Sequence, residues 1–302
     1  MAERVAELLI TDRKGAYLDL TAGGGGHLLV LAAHLDPSAR IYGADVDPEA
    51  VERTTHALTS TRQFRGVVRT AFADAGEALR GLEEDRFDGI LLDLGISSYQ
   101  LDDPSRGISF RFDGPLDMRL DPGSDVTAGK LISRLEEHEL REILREYGEE
   151  RQAAGIARAI VRERQRGMIL TTAQLRDIVL SVVKPPHQTK ALARVFQALR
   201  IAVNRELDQL SRALPVVLSL LKIHGRLAVI SYHSLEDRIV KRFLQEHSRG
   251  VCFCPPQIPM CICGARPDLT LVTRRAERPS ESEIALNNRA RSAHLRVAER
   301  TI

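Results

Sequence analysis

Short runs rich in β-formers alternate, through the first third of the chain, with stretches whose apolar residues recur every three to four positions. The pattern predicts strands at residues 16–21, 40–45, 67–72 and 87–94, with helices at 26–34, 48–60 and 75–83 between them. Strands that alternate with helices in this way form βαβ units and a parallel sheet. The rhythm breaks at LDDPSRGISFRFDGPLDMRLDPGSD, too rich in Gly, Pro and Asp to sustain one regular element, so it reads as a loop and domain junction. From residue 127 to about 207 no strand alternation appears, and helices are expected at 136–147, 151–165, 172–182 and 189–207. The last places Leu192, Val195, Phe196, Leu199 and Val203 on one amphipathic face, with Lys190 and Arg194 away from it. Strand patterning returns at 226–231 after His224-Gly225, and 269–274 with 293–298 are expected to close the sheet as a hairpin. The order predicts an α/β domain built from residues 1–112 and 206–302, interrupted by an all-helical insertion at 113–205 that would face the substrate.

Composition narrows the class. The chain has 302 residues, enough to bury a large core without metals or disulfides, and no apolar run near the ~20 residues of a bilayer span. The opening MAERVAELLITDRKG has no secretory-signal pattern, so a cytoplasmic protein without membrane contact is expected. All four cysteines fall between Cys252 and Cys263, which excludes a chain-wide disulfide framework. The net charge of +2 hides local excesses: seven arginines against four glutamates in residues 274–300, and two lysines and three arginines with no acid in residues 184–205. Such stripes suit a polyanionic partner, and equally a solvated Arg-rich surface.

Candidate chemistry begins at YLDLTAGGGGHLLVLA, where Gly23 to Gly26 lie between a strand and a helix. Glycines there permit a sharp turn and let a ligand touch backbone at a helix start. In RIYGADVDP, Asp45 stands at the next strand end, about 20 residues on, where a carboxylate can take both hydroxyls of a ribose. A nucleoside-bearing cofactor is therefore expected. The dinucleotide fingerprint would need a third glycine where Leu28 stands, and no Gly-Lys-Ser/Thr follows for a phosphate loop. S-adenosyl-L-methionine, a nucleoside without phosphate, fits a turn followed by His27; alternatively His27 simply packs against the loop.

Five longer blocks carry a resemblance. GILLDLGISSYQLDDPSRGISFRFDGPLDMRL, YGEERQAAGIARAIV, FQALRIAVNREL, ISYHSLEDRIVKRF and NNRARSAHLRVAER closely resemble the bacterial ribosomal-RNA small-subunit methyltransferase H family, also called MraW, in the family's order and over nearly the whole chain. The resemblance implies a Rossmann-like class I methyltransferase with an inserted helical domain. It also implies transfer of a methyl group from S-adenosyl-L-methionine to N4 of a cytidine in the decoding region of 16S ribosomal RNA, within the small subunit. Family cofactor positions correspond to Gly25, Gly26, His27, Asp45, Phe72, Asp93 and Gln100. Two departures stand out: the family usually has a His-Val-Pro-Val-Leu-like segment before the first helix, within which this sequence begins, and Tyr232 stands where Phe is common.

For such a reaction the sulfonium methyl is already activated and cytosine N4 is a poor nucleophile, so alignment and acceptors for the amine hydrogens matter most. Asp93, closing the apolar strand FDGILLDLG, is the leading candidate; its alternative role is to cap the following turn. In SYHSLEDR, Ser231 and His233 are candidates for positioning the base, while Glu236 and Asp237 also suit a helix start. A Ser-His-acid hydrolase is disfavoured because no G-x-S-x-G elbow surrounds the serine. Arg106, Arg111, Arg119, Lys184, Lys190, Arg289 and Arg291 are expected to contact RNA. Cys252, Cys254, Cys261 and Cys263 form two C-x-C pairs that read as a structural zinc site, as reduced thiols or as a local disulfide. The rival reading, a non-catalytic RNA-binding assembly factor with a retained Rossmann-like fold, is opposed by the intact Gly25, Gly26, Asp45 and Asp93.

Overall fold

The computed structural model describes residues 1–251, 254 and 263–302; Cys252 and Cys261, and with them the four-cysteine reading, lie outside the described residues. The chain divides into two compact units, residues 1–95 with 207–302, and residues 96–206.

In chain order, the first unit opens with α1 (Ala2–Leu9), β1 (Ala16–Asp19), α2 (Gly26–His34), β2 (Arg40–Asp45), α3 (Pro48–Leu58), β3 (Phe64–Arg69), α4 (Ala75–Ala78) and β4 (Phe87–Asp93). The helical unit follows with α5 (Ser98–Asp102), α6 (Ala128–Arg134), α7 (Glu137–Glu146), α8 (Ala153–Arg164), α9 (Thr172–Val182) and α10 (Gln188–Asn204). The chain then continues through α11 (Glu206–Leu220), β5 (Leu221–Ser231), α12 (Ser234–Arg249), β6 (Leu269–Leu271), α13 (Glu281–Leu286) and β7 (His294–Arg300).

The seven strands form one sheet in the order β3-β2-β1-β4-β5-β7-β6, parallel except that β7 runs antiparallel to both β5 and β6. This is the Rossmann-like α/β arrangement of class I methyltransferases. The order reverses between β1 and β4, and in open α/β sheets ligands bind outside the strands' carboxyl ends at that reversal.

Strand parity decides what reaches this edge. Tyr17, Ile41, Leu91 and Ile230 pack on one face with Leu28 and Leu31 of α2, while Leu18, Tyr42, Leu92 and Val229 pack on the other with Leu214 and Val217 of α11. Side chains alternate along a strand, so Asp19, Asp45 and Asp93, each an even number of residues beyond Tyr17, Ile41 and Leu91, end on the α2 face. The helices have local causes as well. Asp47 caps α3 by accepting from the N–H of Glu49 at 3.1 Å, with Pro48 in the first turn, and Thr171 and Gln174 form a reciprocal capping box on α9.

The helical unit has its own core, which includes Leu140, Leu144, Ile156, Ile160, Val179, Val195 and Leu199. All five residues of the apolar stripe expected on α10 are buried. Residues 96–112, read from sequence with the sheet domain, belong with this unit. Phe110 meets Phe196 edge-on at 5.6 Å, and the N–H of Met118 donates to the carbonyl of Arg106 at 3.0 Å. Other boundaries differ too. β3 begins three residues earlier than expected and α4 is a single turn. Arg205 adopts a left-handed conformation (φ 51°) that ends α10, after which α11 starts afresh. α6 has no counterpart in the sequence-derived pattern. Among the described residues no helix is long and apolar enough to cross a membrane.

Candidate active site

The glycine turn joins β1 to α2. Gly23 (φ 55°) and Gly25 (φ 80°) sit in left-handed conformations that residues with a Cβ adopt only at a cost, and the N–H of Gly25 closes the turn on the carbonyl of Ala22 at 2.7 Å. The buried hydroxyl of Thr54, from α3, donates to the carbonyl of Gly23 at 3.2 Å and steadies the turn from behind. A Cβ built on Gly26 meets no atom within 4 Å, which leaves open space beside the first turn of α2 where a ligand can lie against backbone.

Asp45 closes β2 beside this turn. Its Oδ2 accepts from the N–H of Gly23 at 2.8 Å and its Oδ1 from the N–H of Asp47 at 2.9 Å. Each oxygen keeps a lone pair, so the carboxylate can still receive two hydroxyls. Burial pushes the Asp45 carboxyl up from the usual range, and the two N–H donors oppose that rise.

A second network links β1, β4 and the end of β5. Asp19 is buried, and its Oδ1 accepts from both the N–H and the hydroxyl of Thr21, at 2.9 and 3.0 Å. The Thr21 hydroxyl oxygen in turn accepts from the N–H of Asp93 at 2.6 Å. The Asp93 carboxylate accepts from the Tyr232 hydroxyl on Oδ1 at 2.9 Å and faces His27 Nε2 across 3.4 Å on Oδ2. His27 Nδ1 is buried with no hydrogen-bond partner. Burial raises the Asp19 carboxyl to about 6, against the pull of His27 and Thr21. Burial alone would lower the imidazole of His27, but the hydrogen bond and charge of Asp93, with the charge of Asp19, outweigh it and the net direction is up. The Tyr232 phenol is pushed far up, first by burial and then by the charge of Asp93.

Three carboxylates on one sheet edge make a poor seat for a pyrophosphate and a good one for hydroxyls and positive charge. A nucleoside carrying a sulfonium and an ammonium, as S-adenosyl-L-methionine does, fits the paired acceptors of Asp45, the open space at Gly26 and the unpartnered Nδ1 of His27.

The other expected residues distribute unevenly. Phe72 lies just past β3, half-buried against the opposite core face. Gln100 belongs to the helical unit, where its Oε1 accepts from the N–H of Ser97 at 3.0 Å and caps α5. Ser231 follows Ile230, which pairs in register with Asp93, and so points to the other face of the sheet; it is buried with its hydroxyl 3.5 Å from the carbonyl of His294. His233 caps α12, its Nδ1 accepting from the N–H of Glu236 at 3.3 Å, while the Glu236 carboxylate accepts from the N–H of Tyr232 at 2.9 Å. Asp237 forms a two-pronged pair with Arg296 at 2.8 and 3.0 Å. The structure thus brings Asp93 together with Tyr232 and His27, and gives Ser231 and His233 places in the framework around the strand end.

Among the basic residues, Arg111, Lys184, Lys190, Arg289 and Arg291 are exposed. Arg106 is buried with Asp103 at 3.9 Å, and Arg119 spends its fork on Asp117 at 2.7 and 2.8 Å and on the carbonyls of Pro122 and Ser124. Both shape their own loop. Sequence reasoning passed over Asp19 and Thr21, and treated Tyr232 as a mild change. An acid inside the apolar run of β1 was the available signal for Asp19; the tie between Tyr232 and Asp93 spans 139 positions and had none.

The MraW methylase family model matches residues 1–301. The ribosomal RNA small subunit methyltransferase H of Heliobacterium modesticaldum is 44% identical over 304 residues, covering 99% of this chain and 97% of that relative. Relatives of the same name from Syntrophotalea carbinolica and Thiobacillus denitrificans are each 46% identical, over 303 and 302 residues, covering 99% of this chain and 96% of their own length.

Proposed function

The chain belongs to the MraW methylase family, and from that premise we propose that it transfers a methyl group from S-adenosyl-L-methionine to N4 of a cytidine in the decoding region of 16S ribosomal RNA, within the small subunit and in the cytoplasm. The names of the relatives support ribosomal RNA of the small subunit as the substrate class. The observation that carries the reading is Asp93 at the carboxyl end of β4, its carboxylate fixed by the Tyr232 hydroxyl on one oxygen and facing His27 on the other.

The cofactor supplies a methyl group already activated on a sulfonium. Asp45 would receive the ribose hydroxyls, Gly25 and Gly26 would admit the ligand against backbone, and His27 and Phe72 would complete its surroundings within the sheet unit. Asp93 accepts a hydrogen of the cytosine amine and so orients the nitrogen lone pair along the line of transfer. The amine proton becomes acidic once nitrogen has gained a carbon, so it can pass to water or to Asp93 without a strong base. Ser231 and His233 hold the strand end that delivers Tyr232 to Asp93. Arg111, Lys184, Lys190, Arg289 and Arg291 take RNA phosphates.

The test is transfer of labelled methyl to unmodified small ribosomal subunits followed by nucleoside analysis. N4-methylcytidine is expected, with Asp93→Ala slowing its formation by about 10²–10³-fold. Label in another nucleoside, or none despite cofactor binding, would overturn the proposed acceptor. Charge reversal at Arg111, Lys184 and Arg291 together is expected to abolish transfer and leave S-adenosylhomocysteine affinity within about twofold, since phosphate contacts act on RNA alone.

A further inference from the structure

The helical unit contains a cavity of about 250 Å³ lined by Glu150, Arg151, Gln152, His187, Lys190 and Arg194, with Val183 and Ala191 supplying an apolar floor. Every lining residue falls within residues 96–206.

Two observations about the lining point in different chemical directions. The first is positive charge: Arg151, Lys190 and the imidazole of His187 are exposed at the rim, and Gln152 and His187 are the cap positions of α8 and α10, neither of which makes a side-chain cap hydrogen bond. Two helix starts, of 12 and 17 residues, together with basic side chains favour a phosphate. The second is a buried carboxylate. The Glu150 side chain is 3% exposed; its Oε1 accepts from the N–H of Gln152 at 2.8 Å, whereas its Oε2 has no hydrogen-bond partner and lies 3.6 Å from an Arg194 nitrogen. Leaving a buried carboxylate oxygen without a hydrogen bond is costly, and a simple anion would make it worse.

A ligand that answers both features carries a phosphate at one end and a hydrogen-bond-donating edge at the other. We propose that this cavity is a guanine-nucleotide site: the N1–H and N2–H donors of the base face Glu150, the adjacent O6 faces the Arg194 guanidinium, and the phosphate lies toward Lys190 and Arg151. Among the common bases guanine alone sets two contiguous donors beside an acceptor, the complement of a carboxylate beside a guanidinium. The nucleotide can be free or a residue of an RNA strand. The site does not depend on the methyl-transfer reading, since it is defined by binding alone.

The test is calorimetric titration of the full chain with 5′-GMP, 5′-IMP, 5′-AMP, 5′-CMP and inorganic phosphate, and with single-stranded hexanucleotides carrying one guanine or one inosine. Inosine lacks only the N2 amine, so the guanine form is expected to bind at least about tenfold more tightly in the mononucleotide pair, in the hexanucleotide pair, or in both. A preference confined to mononucleotides assigns a free nucleotide; one confined to hexanucleotides assigns an RNA residue. Glu150→Gln is expected to erase the guanine preference, and Lys190→Ala to weaken guanine and inosine forms alike. Equal affinity for guanine and inosine forms in both pairs, tighter binding of AMP or CMP, or binding of none of these ligands overturns the proposal. Should Glu150→Gln perturb folding, seen as a lowered Tm, the comparison of guanine with inosine in the unaltered chain still decides.

Discussion

Carboxylates at the candidate site's sheet edge and in the helical unit are held in opposite ways. In the sheet unit Asp19, Asp45 and Asp93 face backbone N–H groups, hydroxyls and one imidazole. In the helical unit two partly buried acids face guanidinium groups: Glu206 meets Arg200 through two bonds of 2.8 and 2.9 Å, and Asp117 meets Arg119 in the same forked manner. Dipolar donors hold a carboxylate in place and leave most of its charge for a ligand. A guanidinium cancels that charge and turns the pair into scaffolding. Glu150 combines the two, with one N–H on Oε1 and the Arg194 guanidinium 3.6 Å from an Oε2 that has no hydrogen bond, and it is there that a ligand site is proposed.

The contrast can be broken from either side. The largest effect is expected from Arg200→Ala, which strands Glu206 in a site where each partner's side chain is 10% exposed. A loss of about 3 kcal/mol or more is expected, read as a lower urea midpoint for the helical unit, while Arg200→Ala with Glu206→Leu recovers part of it. Next comes Asp45→Ala. Removing a carboxylate that serves a ligand should leave folding nearly unchanged and weaken S-adenosylhomocysteine binding by about 1.5–3 kcal/mol, measured by calorimetry. If it instead lowers Tm and spares affinity, the two kinds of acid are not different.

A third test uses pH. Asp19 has its pKa raised from 3.8 to about 6, so between those values the folded chain holds a proton that the unfolded chain has lost. The resulting contribution to stability is present below pH 3.8 and is lost as pH rises through about 6. Asp19→Asn should flatten that fall, on the order of 2 kcal/mol between pH 4 and pH 7 by chemical denaturation at each pH. The smallest effect is expected from Gly25→Ala. Its Cβ would have room, lying 3.5 Å from Leu58 and Thr54, so the cost is the left-handed backbone alone, about 1 kcal/mol in stability by urea titration.

The sequence carried local features well and long-range ones poorly. α2, β2 and α9 have the bounds their patterns predict, because each is framed by its own punctuation: the glycine turn, Asp45 before Asp47-Pro48, and the Thr171 cap. α11 escaped notice although Leu210, Ala213, Leu214, Val217 and Leu218 are buried at helical spacing, since Pro215 inside it reads as a breaker. At the candidate site, the glycines and Asp45 were legible because their spacing is local. Tyr232 was not, because its hydroxyl finds Asp93 through the pairing of β4 with β5. Basicity likewise marked Arg106 as a surface contact, and nothing in its neighbours' identity announces that its loop folds over it.

The interrupted layout of the sheet also sets a schedule for synthesis. β4 ends at Asp93, yet its neighbour β5 begins at Leu221, and β7, which separates β5 from β6, is completed at Arg300. At about 5–20 residues per second, the open side of β4 waits roughly 6–26 seconds for its partner. Residues 96–206 are one continuous segment whose core requires no later part of the chain. On a translating ribosome, the helical unit can therefore finish first while the half-built sheet is still exposed, and that waiting interval is when a chaperone would have most to do.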